Sequence, residues 1–177
     1  MRTTQLCLLA LAVLSLVPFA SAANSMHGNV RMHGSIIDTP CAIAADSRDQ
    51  SIDLSVIPVS TIISEGVSPS RPFTIQLINC SLETSQNNKN DWSKFAITFD
   101  GKTTNGNLFS ADGEATGVGI QISDSAGNIA VPGQTMPERN IEAGQMKLDY
   151  SLRLMANRET VRAGTYQSTI RFKMDYY

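Results

Sequence analysis

Few side chains in this sequence belong to the types that cleave, ligate or exchange electrons: two histidines, His27 and His33, three cysteines, Cys7, Cys41 and Cys80, and one tryptophan, Trp92. Both histidines lie in the stretch NSMHGNVRMHGS (24–35), where apolar residues or glycine alternate with polar residues. An extended chain rises about 3.3 Å per residue, so the two imidazoles stand roughly 20 Å apart, too far to share a metal or relay a proton. Two cysteines without a nearby histidine pair cannot complete a tetrahedral zinc shell, and a sandwich-type copper site needs more histidines than this chain has. No G-x-S-x-G elbow, phosphate loop or H-E-x-x-H motif is present. Carboxylates are plentiful, yet no pair stands at the mouth of an apolar segment as glycoside hydrolysis needs. Asn79-Cys80-Ser81 matches a glycosylation sequon by spacing alone. Trp92 follows the polar run QNNKND (86–91) and is placed either to stack on a sugar or to plug the edge of a core. The chemistry is that of a protein that is not an enzyme and needs no cofactor.

The elements that position these residues begin with a leader. MRTTQLCLLALAVLSLVPFASA (1–22) has a positive charge at Arg2, an apolar run and the small-x-small ending Ala20-Ser21-Ala22, the pattern of a secretory signal peptide. Cys7 leaves with it. Cys41 and Cys80 are then an even pair in an exported chain, which points to a disulfide. No later apolar run approaches the length of a membrane span, so no direct membrane insertion is expected. Fourteen basic residues against sixteen acidic ones give a formal net charge of −2, no footprint for nucleic acid.

Period-two alternation predicts half-buried strands along the rest of the chain. Apolar positions are Ile52, Leu54 and Val56; Phe73, Ile75 and Leu77; Phe95, Ile97 and Phe99; Val118, Ile120 and Ile122; Met146, Leu148, Tyr150, Leu152 and Leu154; and Ile170, Phe172, Met174 and Tyr176. Prolines fall at or beyond the ends of these runs, where a missing amide does least harm. Turn residues fill the gaps, as in Asp100-Gly101, Asn105-Gly106, Asp112-Gly113, Asp124-Ser-Ala-Gly127 and Ala163-Gly164. Helix is expected only as a turn or two at Val59–Glu65 and at Glu138–Ala143. The sum is an all-β sandwich of immunoglobulin-like size.

Only the stretch from Ala23 to Gly34 changes character. It has an alternating face, Met26, Gly28, Val30, Met32 and Gly34, but few bulky groups to fold against. A lone strand is unstable in water, so the arm docks either on its own sandwich or on another.

Three stretches together resemble the subunits of chaperone-usher pili, the type 1 and P pilus pilin family. Gly34-Ser-Ile-Ile-Asp-Thr-Pro-Cys41 is similar to the family's entry motif; Arg71-Pro-Phe-Thr-Ile-Gln-Leu-Ile-Asn-Cys80 to its F-x-I-x-L-x-x-C strand; and Ala163-Gly-Thr-Tyr166 with the alternating residues up to Tyr177 to its A-G-x-[FY] turn and last strand. The resemblance implies an incomplete immunoglobulin-like β-sandwich lacking its final strand, with an N-terminal donor-strand arm. On that reading residues 1–22 are the signal peptide, 23–34 the donor-strand extension and 35–177 the pilin domain.

The implied partners are a periplasmic pilus chaperone, whose strand first fills the groove, an outer-membrane usher, and neighbouring pilus subunits, whose arms replace the chaperone. Met26, Gly28, Val30, Met32 and Gly34 would be the donor face, with Gly28 or Gly34 passing a shallow point of the neighbour's groove. Ile170, Phe172, Met174 and Tyr176 would line one wall of this chain's own groove, and the Tyr177 carboxylate would be held by chaperone cations. The implied function is a structural subunit, minor or linking, polymerising by donor-strand exchange, secreted through the periplasm to the cell-surface fimbrium and contributing to adhesion. The alternative is a sugar-binding fimbrial adhesin using the loop from Gln86 to Trp92.

Overall fold

A computed structural model of the chain describes residues 31–34, 39–83, 92–105 and 107–177. The leader, arm residues 23–30 and the polar run 86–91 lie outside the described residues. The chain divides into two units, Met1–Ile36 and Ile37–Tyr177. In the first unit the described residues 31–34 are exposed and carry no regular secondary structure.

The second unit is built almost wholly of strands: β1 (Ala42–Ile43), β2 (Arg71–Cys80), β3 (Lys94–Asp100), β4 (Thr103–Thr104), β5 (Leu108–Ser110), β6 (Asp112–Gly113), β7 (Val118–Asp124), β8 (Ile129–Ala130), β9 (Arg139–Asn140), β10 (Gly144–Ala156), β11 (Tyr166–Gln167) and β12 (Arg171–Tyr176). Two short helices, α1 (Ala45–Arg48) and α2 (Val59–Glu65), interrupt them early in the chain. The longest apolar alternation becomes the longest strand: along β10, Met146, Leu148, Tyr150, Leu152 and Leu154 are buried. Lys147 and Asp149 between them are exposed, because successive side chains leave opposite faces of a pleated strand.

Pairing among the described strands is antiparallel throughout. One sheet runs β1-β2-β10-β7-β5-β4, with β8 alongside β7, and a second runs β12-β3-β9; β11 and β6 form a small ribbon. The inner faces of the two larger sheets enclose the core, in which Ile75, Leu77, Phe95, Phe109, Ile122 and Leu148 are fully buried. The sheets meet through rings: Phe99 of β3 stands edge-on to Tyr150 of β10 at 5.2 Å between centroids, and Phe73 of β2 stacks on Tyr150 at 5.4 Å. Cys41 and Cys80 form a disulfide that ties the chain just before β1 to the end of β2.

Three sequence expectations are corrected. The alternating run Ser51 to Val56 forms no strand, because no neighbouring strand offers its backbone a ladder there; at Ser55 the backbone turns left-handed, with φ 61°. Glu138 to Ala143 is not helical; Arg139 and Asn140 pair instead with Phe95 and Lys94 at the far edge of β3. β3 itself is buried on both faces from Phe95 to Phe99, since Thr135 lies over Thr98 and the two hydroxyls are 3.1 Å apart. The helix expected at Val59–Glu65 does form. It ends on Gly66, whose left-handed backbone lets its N–H donate to the Ile62 carbonyl at 3.0 Å.

Candidate functional site

A groove of about 1170 Å³ opens into the core of the second unit. Its apolar floor comes from both sheets: Ile75 of β2, Ile120 and Ile122 of β7, and Leu152 and Leu154 of β10 on one side, with Phe99 of β3 on the other. These floor side chains are buried. One rim is the segment from Ser47 to Ile57, and the other runs from Val161 to Phe172. Small-molecule sites span roughly 300–1,000 Å³, so this one is large, and interiors of globular domains ordinarily contain no such void.

The rims are secured at their outer ends. Gln50 Nε2 donates to the Thr74 carbonyl at 2.9 Å, and the Ser47 hydroxyl accepts from the Gln76 N–H at 3.0 Å, which fixes the start of the first rim to β2. The second rim is held by the β6–β11 ribbon and by the Ser168 hydroxyl, which donates to the Ser110 carbonyl at 2.8 Å. Tyr166 lines the groove from this ribbon; partial burial raises its phenol pKa, and the carboxylate of Asp53, another lining residue, raises it further. The floor is apolar, and the charged lining residues, Arg48, Asp49, Asp53, Arg162 and Arg171, belong to the two rims.

Beside the groove lies β12. It pairs with β3 along Arg171↔Asp100, Phe172↔Phe99, Lys173↔Thr98, Met174↔Ile97, Asp175↔Ala96 and Tyr176↔Phe95. Among the described residues no strand pairs with its other edge. An edge strand with an unpaired row of main-chain groups is a template for a further strand.

The family model described as "Fimbrial protein" matches residues 30–177. This chain belongs to the fimbrial protein family. Among its relatives is the PRS fimbrial minor pilin protein of Escherichia coli, 32% identical over 150 residues, which are 84% of this chain and 77% of that protein. Another is Long polar fimbria protein A of Salmonella typhimurium, 31% identical over 182 residues, 99% of this chain and 97% of the relative. The crystal structure of the P pilus rod subunit PapA is similar with a TM-score of 0.69 and 25% identity, over 78% of this chain and 100% of PapA. The fold is the immunoglobulin-like one of the pilus subunits, and this fimbrial protein is a pilin-type subunit of a cell-surface fibre.

Of the residues singled out from the sequence, Ile170 and Phe172 line the groove of the fimbrial chain. Met174 and Tyr176 are half-buried against the core farther along β12 and are not among its lining residues. Tyr176 meets Trp92 edge-on, ring centroids 6.4 Å apart, which places the tryptophan at the edge of the core. Tyr177 is 55% exposed, and its backbone oxygen accepts from the N–H groups of Ser93 at 2.8 Å and Lys94 at 3.1 Å. In the arm, Met26, Gly28 and Val30 lie outside the described residues, whereas Met32 is 88% exposed and Gly34 is exposed. Sequence reasoning passed over Val161 and Tyr166 as lining residues. The signal for Tyr166 was its place in the turn motif ahead of the last strand, and Val161 had none, since it belongs to no alternating run.

Proposed function

We propose that the groove receives an extended strand from another polypeptide and that the arm of this chain does the same for a neighbouring subunit. The observation that carries this reading is a large apolar groove whose second rim ends in Arg171 and Phe172 of β12, an edge strand with no second partner among the described residues. A strand laid there gains main-chain hydrogen bonds from β12 and inserts alternate side chains into the floor, the general mode of strand addition. Met26, Val30 and Met32 of an arm contribute about 1.5–3 kcal/mol each when buried, before ordering costs. A glycine, Gly28 or Gly34, lets the strand pass a shallow place in the neighbour's groove.

The family membership supports a chaperone-usher route: a periplasmic chaperone fills the groove first, and at the outer-membrane usher the arm of the next subunit replaces it by donor-strand exchange. On this account residues 1–22 are removed on export, 23–34 are the donor arm, and the fibre contributes to adhesion. The relatives include both minor and major pilins; the minor or linking position proposed here rests on the two minor pilins at 32% identity. Trp92 packs against Tyr176 and is not presented as a free platform, so no observation favours the adhesin alternative.

Two variants test the two halves separately. Deletion of residues 23–32 is expected to leave chaperone binding intact while abolishing insertion into the preceding subunit. Phe172→Asp, a charge on the groove wall, is expected to abolish chaperone capture and leave the arm competent as a free peptide donor. Loss of chaperone binding on arm deletion, or normal capture of Phe172→Asp, overturns the reading.

A further inference from the structure

The two rims of the groove differ in charge. The first, from Ser47 to Ile57, carries Arg48, Asp49 and Asp53, and Arg71 reaches it with Nη2 2.8 Å from the Ser55 hydroxyl, so cations and anions balance there. The second, from Val161 to Phe172, has no acidic residue; its charges are Arg162 near one end and Arg171 near the other. Both arginines are exposed, and among the described residues neither forms an ion pair. The register partner of Arg171 on β3 is Asp100, and the next cation along β12, Lys173, is matched by Asp175 at 3.0 Å. The chain as a whole carries a formal net charge of −2, so the second rim is a local surplus of positive charge on an acidic molecule.

A strand seated against β12 turns alternate side chains into the floor and the others outward. Its outward side chains stand on the same face as Arg171, where opposite charges on neighbouring strands attract and like charges repel. The arm of this chain, residues 23–34, contains Arg31 and no acidic residue; with Met26, Val30 and Met32 inward, His27, Asn29, Arg31 and His33 face out. We propose that the second rim selects arms by the charge of their outward face: it favours a neighbouring subunit's arm that carries an aspartate or glutamate at an outward position and disfavours the arm of a second copy of this chain. This rests on the groove being a strand acceptor. It adds a basis for choosing between arms that the apolar floor cannot supply, because the inward side chains bear no charge. The selective element is repulsive, Arg31 of the wrong guest against Arg162 and Arg171, and it leaves the chain's own arm to a different subunit.

The test uses the full chain recovered from the periplasm and three synthetic peptides of residues 23–34: the native arm, Arg31→Gln and Arg31→Glu. Each competes with a dye-labelled Arg31→Glu arm, followed by fluorescence anisotropy. The expected order of affinity is Glu above Gln above native, spanning about fivefold at low salt and shrinking to less than about twofold at about 0.5 M salt, as exposed charges do. Unspecific attraction to an acidic chain gives the reverse order, so the sign alone separates the rim from the molecule's overall charge. In a chain with Arg162→Gln and Arg171→Gln together the three affinities are expected to converge; both side chains are exposed, and should that variant fail to fold, the peptide series on the unaltered chain still decides. Equal affinities, or tightest binding by the native arm, overturn the selection and leave the groove reading standing. Persistence of the order in the folded double variant overturns its assignment to this rim. Failure of every arm to bind overturns the selection and the groove reading together.

Discussion

Phe99 and Tyr150 stand edge to face with ring centroids 5.2 Å apart, one from each of the two larger sheets. The contact lies at the groove, where Phe172 also approaches Phe99 at 6.2 Å, and the sheets of this fimbrial subunit are held together next to the opening that most weakens them. Truncating the central ring, Phe99→Ala, removes contacts to Phe73, Tyr150 and Phe172 at once. The expected loss is about 3–5 kcal/mol, the usual range for a buried phenylalanine. A urea titration of the subunit with its groove filled by an arm peptide measures it, and a loss below about 1 kcal/mol would mean that this cluster does not join the sheets.

Tyr150 is also the group from which pH sensitivity follows. Burial pushes its phenol up from 10.0 to about 12, with Arg139 pulling it down and Asp124 pushing it up by smaller amounts. The folded chain thus holds this proton more tightly than the unfolded chain. Its stabilising contribution is complete below pH 10 and is lost as the pH rises toward about 12. Each tenfold gain in proton affinity is worth about 1.4 kcal/mol, so the contribution is on the order of 2–3 kcal/mol. Tyr150→Phe is expected to flatten the fall in melting temperature above pH 10, although Tyr166 and Tyr176, also raised by burial, leave part of it. An unchanged alkaline slope in Tyr150→Phe would assign the effect to the other two.

The disulfide closes a span of 39 residues between Cys41 and Cys80. In the loop-entropy model it disfavours the unfolded chain by roughly 4 kcal/mol. A subunit with an open groove has little stability to spare. Cys41→Ser is expected to cut the amount of folded protein in the periplasm several-fold, and Cys41→Ser with Cys80→Ser together to do no worse than either alone. Quantitative immunoblotting of periplasmic extracts decides it; an unchanged level would remove the disulfide from the folding account.

The sequence foretold those elements whose pattern is satisfied within one chain. β2, β3, β7, β10 and β12 follow the period-two runs because each has a partner strand and a buried face to reward the alternation. Ser51 to Val56 has the same pattern and fails to become a strand, since no strand of the described chain lies beside it. Arg139 and Asn140 become a strand against a helical expectation because β3 had an edge to fill, with the Arg139 guanidinium 6.0 Å from the centre of the Phe95 ring. The groove itself was not readable from spacing, and only the resemblance pointed to it.

Gly117 and Gly66 separate two costs of adding a side chain. Both have left-handed backbones, φ 78° and 74°, but a Cβ at Gly66 meets nothing within 4 Å whereas one at Gly117 comes within 2.6 Å of the Thr160 backbone. Gly66→Ala carries the conformational penalty alone, about 1–2 kcal/mol. Gly117→Ala must in addition push apart the Thr116–Arg162 bridge, part of the wall that closes the groove. It is expected to lower the urea midpoint more than Gly66→Ala and to weaken arm binding, which Gly66→Ala leaves alone. Equal effects of the two would show that this wall yields freely.

Removal of Lys173 to Tyr177 takes away the pairs Lys173↔Thr98, Met174↔Ile97, Asp175↔Ala96 and Tyr176↔Phe95, together with the Tyr177 hydrogen bonds to Ser93 and Lys94. What remains of β12 is a stub too short to stand as a strand or to offer an edge to a guest. Trp92 loses the ring it packs on, so the core opens at that end as well as along the groove. The truncated chain is expected to vanish from the periplasm even when the chaperone is overproduced. Tyr177→Ala is a different case, because its backbone hydrogen bonds survive and the residue is largely exposed; it is expected to accumulate near the parental level. Normal accumulation of the truncated chain would mean that the unit closes without its last strand, and the whole case for a borrowed strand would fail with it.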